Sequence, residues 1–334
     1  MRIGVIGGGS WGTAIARLLA EMDHSVVLWF HNPEVERETA AKRENTVYLP
    51  GFAFPAKLKT TTSMQEAVAD MEVIVAVSPS HVMREVMAQA VPFARRDVLV
   101  VSASKGIEAG TLKRMTEVLV DLFGIDSGGR IGTLSGPSFA REVAANMPTA
   151  VTVAAPDERA AQEMQKAFSG PTFRVYRSTD VVGVELGGAG KNVVAIGAGV
   201  CDGLGFGHST RAALITRGLA EMARLIAKMG GHPMTASGLS GMGDLVLTCT
   251  GDLSRNRQVG LRLGRGESLE AILADMKMVA EGVKNSKTIC ALAQKAGVEL
   301  PIAEQMRQLL HDGKSARQVV VDLMSRQSKP EFWA

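Results

Sequence analysis

Short apolar runs alternate with amphipathic stretches along the first half of the chain. "RIGVIG", "VVLWF" (Val26 to Phe30), "EVIVAVS" (Glu72 to Ser78), "DVLVVSAS" (Asp97 to Ser104), "RIGTLSG" (Arg130 to Gly136), "TAVTVAA" (Thr149 to Ala155) and "FRVYRS" (Phe173 to Ser178) read as strands. Between most of them the period lengthens. "WGTAIARLLAEM" puts Ile15, Leu18, Leu19 and Met22 on one helical face, and "SHVMREVMAQAVPFA" and "TLKRMTEVLVDLFG" repeat the pattern. Nearly continuous apolar strands separated by amphipathic helices predict a mostly parallel sheet covered on both faces. The rhythm changes near Asp180. From there on the pattern is helical, with almost no strand signal. "TRAALITRGLAEMARLIAKMG" predicts a long helix closed by Gly230 and Gly231, and "PIAEQMRQLLHDG" one that opens on Pro301. The expected fold class is therefore a doubly wound α/β domain over residues 1–185, followed by an all-α domain over residues 186–334.

Composition narrows the function. The 334 residues are 46% hydrophobic and 21% charged, enough material for two cores. A net charge of +3 argues against an extended nucleic-acid-binding face, yet allows a local basic pocket for an anionic small molecule. Cys201, Cys249 and Cys290 are scattered and show no Cys-x-x-Cys spacing, so neither a disulfide framework nor a metal site is expected. The apolar stretch of "MRIGVIGGG" is too short for a signal peptide, and no run of eighteen unbroken apolar residues predicts a membrane span. The reading is a cytoplasmic protein. A homodimer stays open, because no periodic stripe in the helical half settles the question.

The first strand runs into "VIGGGSWGTA", where a Gly-x-Gly-x-x-Gly spacing falls on Gly7, Gly9 and Gly12. Strand before, helix after and a second strand beyond make this a dinucleotide-binding fingerprint. Gly7 permits the tight turn, Gly9 lets the backbone approach a pyrophosphate, and Gly12 lets helix pack on strand. The helix N-terminus then offers N–H groups to the phosphates. NAD-selective sites carry an acid at the end of the second strand, and here Phe30, His31 and Asn32 stand in its place. No carboxylate would repel a 2′-phosphate, and His31 is either its contact or an exposed loop histidine. NADPH is favoured, with NADH also accepted.

Polar residues in unusual settings mark the chemistry. Lys105 in "SASKGIE" and Gly136, Pro137 and Ser138 in "SGPSFAREVA" follow predicted strands, where ligands bind in doubly wound sheets. Lys105 alone reads equally well as a solvated charge. Lys191 and Asn192 sit among small and apolar residues in "GGAGKNVVAIGAG". A buried ammonium there needs a partner and can act as a general acid or base; the alternative is a lysine that snorkels outward. Asp244 is a plausible partner, with Thr248 one turn on. "SRNR" offers Arg255, Asn256 and Arg257, and a guanidinium fork suits a phosphate.

Taken with "GFGHSTRAALITRGLAEM", "GMGDLVLTCTGDLSRNRQVG" and "VAEGVKNSK", these motifs closely resemble the bacterial NAD(P)-dependent glycerol-3-phosphate dehydrogenases, from Arg2 to about Leu323. The resemblance implies a Rossmann domain and a helical domain like that of 6-phosphogluconate dehydrogenase. It implies NADPH or NADH as cofactor and the reversible reduction of dihydroxyacetone phosphate to sn-glycerol 3-phosphate, the backbone precursor of phospholipids. By motif, Lys191 is the proton donor and acceptor, supported by Asp244, while Lys105 contacts substrate and cofactor. Gly136, Ser138, Asn192 and Thr248 lie on the substrate side, and Ser254, Arg255 and Asn256 hold the phosphate. Ser10, Trp11, His31, Ala140, Val279 and Glu281 match cofactor positions, with Arg255 also near the cofactor. Many members have a basic or polar residue followed by Asp where this chain has His31-Asn32. Two other readings remain: a β-hydroxyacid or ketopantoate-type dehydrogenase with a carboxylate substrate, and a dinucleotide sensor without catalysis.

Overall fold

The computed structural model describes residues 1–276, 280–328 and 330–331. The chain forms two compact units, one made of Met1–Glu108 with Lys113–Val181, the other of Ala109–Leu112 with Val182–Ala334.

The first unit is built on an eight-stranded sheet: β1 (Arg2–Ile6), β2 (Ser25–Trp29), β3 (Leu58–Thr61), β4 (Val73–Ala76), β5 (Leu99–Ser102), β6 (Ile131–Ser135), β7 (Thr149–Ala154) and β8 (Phe173–Ser178). Their order is β3-β2-β1-β4-β5-β6-β7-β8. Every neighbouring pair is parallel except β6 and β7. Side chains of a strand point alternately to opposite faces. Ile3, Val5, Val73 and Val75 accordingly feed one core, while Ile6, Ile74, Ala76 and Val100 feed the other. That double burial explains why these strands read as continuous apolar runs. The sheet reverses its winding between β1 and β4, and at such a switch point the strand C-termini leave a crevice for ligands. The loops that follow β1 and β4 line it.

β3 is absent from the expected strands. Its sequence, Leu-Lys-Thr-Thr, has three polar residues of four because it forms a sheet edge, where Lys59 is exposed and only Leu58 and Thr61 are buried.

The second unit is helical. Its spine is the helix Val181–Gly203, followed by His208–Lys228, Asp244–Thr250, Arg255–Gly264, Leu269–Asp275, Glu281–Ala296, Pro301–His311 and Ala316–Met324. His208–Lys228 ends as expected: Gly230 takes φ +86, and its N–H and that of Gly231 return to the carbonyls of Ala227 and Ile226. By length and composition the spine helix could cross a membrane, but 94% of its apolar window is buried inside the protein, as in a core helix. Glycines let its neighbours approach. A Cβ on Gly199 would lie 2.0 Å from the Arg257 carbonyl oxygen, and one on Gly260 would lie 1.9 Å from that of Ile196.

Candidate active site

The glycine loop divides its tasks as the spacing suggests. Gly7 has φ +132, a conformation that only glycine adopts without strain. A Cβ on Gly12 would stand 1.8 Å from the Gly7 carbonyl oxygen, so helix and loop touch only because Gly12 has no side chain. A Cβ on Gly9 would meet nothing within 4 Å. Open space therefore lies at the N-cap of Ser10–Glu21, a twelve-residue helix with no acidic residue in its first turn. An accessible glycine at a helix N-terminus free of negative charge fits a pyrophosphate. Gly8, which the fingerprint leaves unassigned, is also constrained, because a Cβ there would fall 2.2 Å from the Phe30 ring. Trp11 and Ala140 pack around the same small cluster of Ala14, Leu49 and Ala144, so two of the cofactor positions are neighbours. The Trp11 indole N–H is buried with no hydrogen-bond partner among the described residues.

At the end of β2 the site carries no carboxylate. The Asn32 side chain instead caps the helix Pro33–Lys42, accepting from Glu34 N at 2.8 Å and Val35 N at 3.3 Å. His31 is exposed and lies 6.0 Å from the Trp29 ring, centroid to centroid. These residues admit a phosphorylated or an unphosphorylated ribose.

Lys105, Gly136 and Ser138 come together at the C-terminal ends of β5 and β6. Lys105 Nζ donates to the Gly136 carbonyl at 3.4 Å, and Ser138 Oγ donates to the same oxygen at 3.0 Å. Gly136 has φ +151, and a Cβ on it would sit 2.8 Å from Val151 Cα. The strand end can turn there only with glycine.

In the helical unit Lys191 is 6% exposed. Its Nζ donates to Asp244 Oδ1 and, at 2.8 Å, to Thr248 Oγ1. Thr248 in turn donates to the Asp244 main-chain carbonyl at 2.6 Å, which turns a hydroxyl lone pair towards the lysine. Asp244 and Thr248 are both buried, so the ammonium is compensated rather than solvated. A π-turn at Leu239–Gly243 delivers Asp244 to this position. It reaches the spine helix because Gly187 leaves room; a Cβ there would be 2.7 Å from the Ser240 carbonyl oxygen. The nearby Cys249 is no rival acid–base group, since burial pushes its thiol up to about 12.

Asn192, one residue further along the spine, accepts from Asn256 Nδ2 at 2.9 Å, while Asn256 Oδ1 accepts from Gly282 N at 2.9 Å. Asn256 thus ties three helices together. Ser254 caps Arg255–Gly264 by accepting from Arg257 N at 3.2 Å. The two arginines of "SRNR" part company. Arg257 is bound to Asp202 at 2.8 Å and Asp252 at 2.9 Å, which removes it from the phosphate candidates. Arg255 is exposed by surface area and makes no hydrogen bond or ion pair with a described residue; partial desolvation lowers its pKa, and the Glu281 carboxylate opposes that only in part. Glu281 opens the helix Glu281–Ala296, and Val279 lies outside the described residues. Sequence reasoning passed over Asn45. It is fully buried beneath the glycine loop, and no periodicity or spacing marks it.

Comparison with known proteins converges on one family. A protein from Geobacter metallireducens named glycerol-3-phosphate dehydrogenase [NAD(P)+] is 55% identical over 330 residues, 99% of this chain and 98% of its own. One of the same name from Citrifermentans bemidjiense is 54% identical with the same coverage. The crystal structure of glycerol-3-phosphate dehydrogenase from Coxiella burnetii is similar with a TM-score of 0.92 and 38% identity, covering 97% of this chain and 99% of that one. The family descriptions of the NAD-dependent glycerol-3-phosphate dehydrogenase N-terminus and C-terminus match residues 2–161 and 180–321. With its glycine loop and its buried Lys191–Asp244 pair in place, this chain belongs to the NAD-dependent glycerol-3-phosphate dehydrogenase family.

Proposed function

We infer that this chain catalyses its family's reaction, the reversible NAD(P)H-dependent reduction of dihydroxyacetone phosphate to sn-glycerol 3-phosphate, with Lys191 as acid–base group and Arg255 as phosphate anchor. The observation that carries the reading is the buried Lys191 ammonium, held by Asp244 and Thr248 in a glycine-rich, mostly apolar helix whose only other charged residues are Glu185 and Asp202.

When bound, NADPH or NADH supplies a hydride to the ketone carbon. Negative charge then grows on the ketone oxygen, and Lys191 stabilises it and transfers its proton. In the reverse direction the neutral amine takes the hydroxyl proton. Asp244 offsets the buried positive charge, and Thr248 fixes the Nζ position. Asn192 orients the substrate, and Arg255, Ser254 and Asn256 grip the phosphate. Binding energy at the remote phosphate holds the ketone in its reacting geometry. Lys105, Gly136 and Ser138 are the sheet unit's contribution to substrate, while Ser10, Trp11, His31 and Ala140 serve the cofactor. The helical unit adds Glu281 to the cofactor set, and Lys105 and Arg255 serve both ligands. We assign the activity to the cytoplasm, where Cys201, Cys249 and Cys290 remain free thiols.

Initial rates of NADPH and NADH oxidation test the reading, with dihydroxyacetone phosphate compared against non-phosphorylated keto acids. Turnover confined to the phosphorylated ketone supports it. Preferential turnover of a carboxylate substrate overturns it in favour of a ketopantoate-type enzyme. Tight cofactor binding without any turnover would make the chain a sensor.

A further inference from the structure

We infer that Asn45 is a positioning residue for the dinucleotide, setting which way the Gly8–Gly9 peptide faces. The inference rests on the assignment of a nicotinamide dinucleotide to the glycine loop.

Asn45 follows the helix Pro33–Lys42 and is fully buried. Its Nδ2 donates to the Gly8 carbonyl at 2.9 Å and to Thr13 Oγ1 at 2.8 Å, while its Oδ1 accepts from Tyr48 N at 3.1 Å. These partners fix the amide orientation. The Gly8 carbonyl can only accept and the Tyr48 N–H can only donate, so the flipped amide would oppose both. Thr13 is also fully buried and lies in the first turn of the helix that the loop opens. One side chain thus grips the loop and the helix at once.

The consequence is directional. In a trans peptide the carbonyl and the N–H point in opposite directions, and none of the described peptide bonds is cis. With the Gly8 carbonyl held towards the buried Asn45, the N–H of the same peptide, that of Gly9, points away from it. At Gly9 the surrounding space is open. No described residue accepts a hydrogen bond from this N–H. Glycines at both ends leave this peptide unusually free to rotate, so a fixed orientation needs an external hold. Asn45 supplies the shorter hold, at 2.9 Å, while Thr13 Oγ1 reaches the same carbonyl at 3.5 Å, so the peptide presents a donor rather than an acceptor to an approaching phosphate.

The test compares Asn45→Ala with Thr13→Val. The second variant removes the Thr13 partner of the amide and the longer 3.5 Å bond from Thr13 to the Gly8 carbonyl, but keeps the 2.9 Å bond from Asn45 to Gly8. Affinity for NADPH is measured by calorimetry, with kcat at saturating NADPH and KM for dihydroxyacetone phosphate alongside. Asn45→Ala is expected to raise the NADPH Kd about tenfold, the effect of one lost orienting hydrogen bond. Its kcat and its KM for dihydroxyacetone phosphate should stay within twofold of the starting protein, and Thr13→Val should leave the Kd within twofold. If Asn45→Ala does not fold, the isosteric Asn45→Asp carries the same comparison at pH 8. A folded Asn45 variant that binds NADPH as tightly as the starting protein overturns the inference. So does one whose loss appears in melting temperature alone. Failure of the unaltered protein to bind NADPH or NADH would instead overturn the assignment on which the inference rests.

Discussion

Arg255 and Arg257 stand two residues apart at the start of one helix, and their environments predict opposite phenotypes. Arg257 is partly buried and paired with Asp202 and Asp252, whereas Arg255 is exposed with no hydrogen bond or ion pair to a described residue. Arg255→Ala therefore removes no native pair, and its effect on stability should stay within about 0.5 kcal/mol. Its cost falls on the substrate. A hydrogen bond to a charged group contributes about 1.5–3 kcal/mol, so losing the phosphate anchor should raise the KM for dihydroxyacetone phosphate by roughly 10- to 150-fold. Comparing kcat/KM for dihydroxyacetone phosphate and for dihydroxyacetone isolates the phosphate. The variant should lose most of its preference for the phosphorylated ketone while its already weak rate with dihydroxyacetone stays nearly constant. Arg257→Ala should do the reverse, lowering the melting temperature with a smaller change in that preference. An unchanged KM in Arg255→Ala, or equal losses for both ketones, would refute the assignment of Arg255 to the phosphate.

Three further perturbations probe other parts of the account. Glu221 is buried and accepts from Ile302 N and Ala303 N, and burial raises its carboxyl from 4.5 to about 7. The folded chain then keeps a proton that the unfolded chain loses between these values. Stability from this group is complete below pH 4.5 and falls by about 3 kcal/mol as pH rises to 7; urea titrations should show the slope, and Glu221→Gln should flatten it. Asp244→Asn removes the counter-charge of Lys191 and should destabilise the protein by about 3 kcal/mol in the same assay, and a loss below about 1 kcal/mol would mean that the ammonium is compensated elsewhere. Gly12→Ala places a methyl 1.8 Å from the Gly7 carbonyl oxygen, so helix and loop must separate. We expect a loss of about 1–3 kcal/mol in stability together with weaker NADPH binding, and a variant with unaltered melting temperature and affinity would contradict the packing role.

Much of the fold was legible because burial on both faces of the sheet leaves a strong sequence signal. β1, β2 and β4 through β7 each carry an apolar run; β8, at one edge, keeps an alternating pattern that buries Phe173 and Val175, whereas β3, at the other edge, has only Leu58 and Thr61 to bury. The antiparallel pairing of β6 and β7 left no mark, since composition does not record strand direction. The Lys191–Asp244–Thr248 cluster was legible for a different reason. A charge inside an apolar, glycine-rich helix demands a partner, and few acids were placed to supply one. The division of labour between Arg255 and Arg257 was hidden, because it depends on Asp202, more than fifty residues upstream. Asn32 stands where NAD-selective sites carry an acid, and only the structure shows that its side chain caps a helix. Asn45 is a polar residue in an irregular segment, and its work depends on contacts with Gly8 and Thr13 that no local spacing reveals.

The most direct test of the account is a single-turnover measurement on Lys191→Ala, with NADPH oxidation followed at saturating cofactor and dihydroxyacetone phosphate. Removing a positioned proton donor costs about 10²- to 10⁴-fold in rate. The account predicts a loss of that size while the NADPH Kd stays within about threefold of the unaltered protein, because the glycine loop is untouched. A single-turnover rate close to that of the unaltered protein would contradict it.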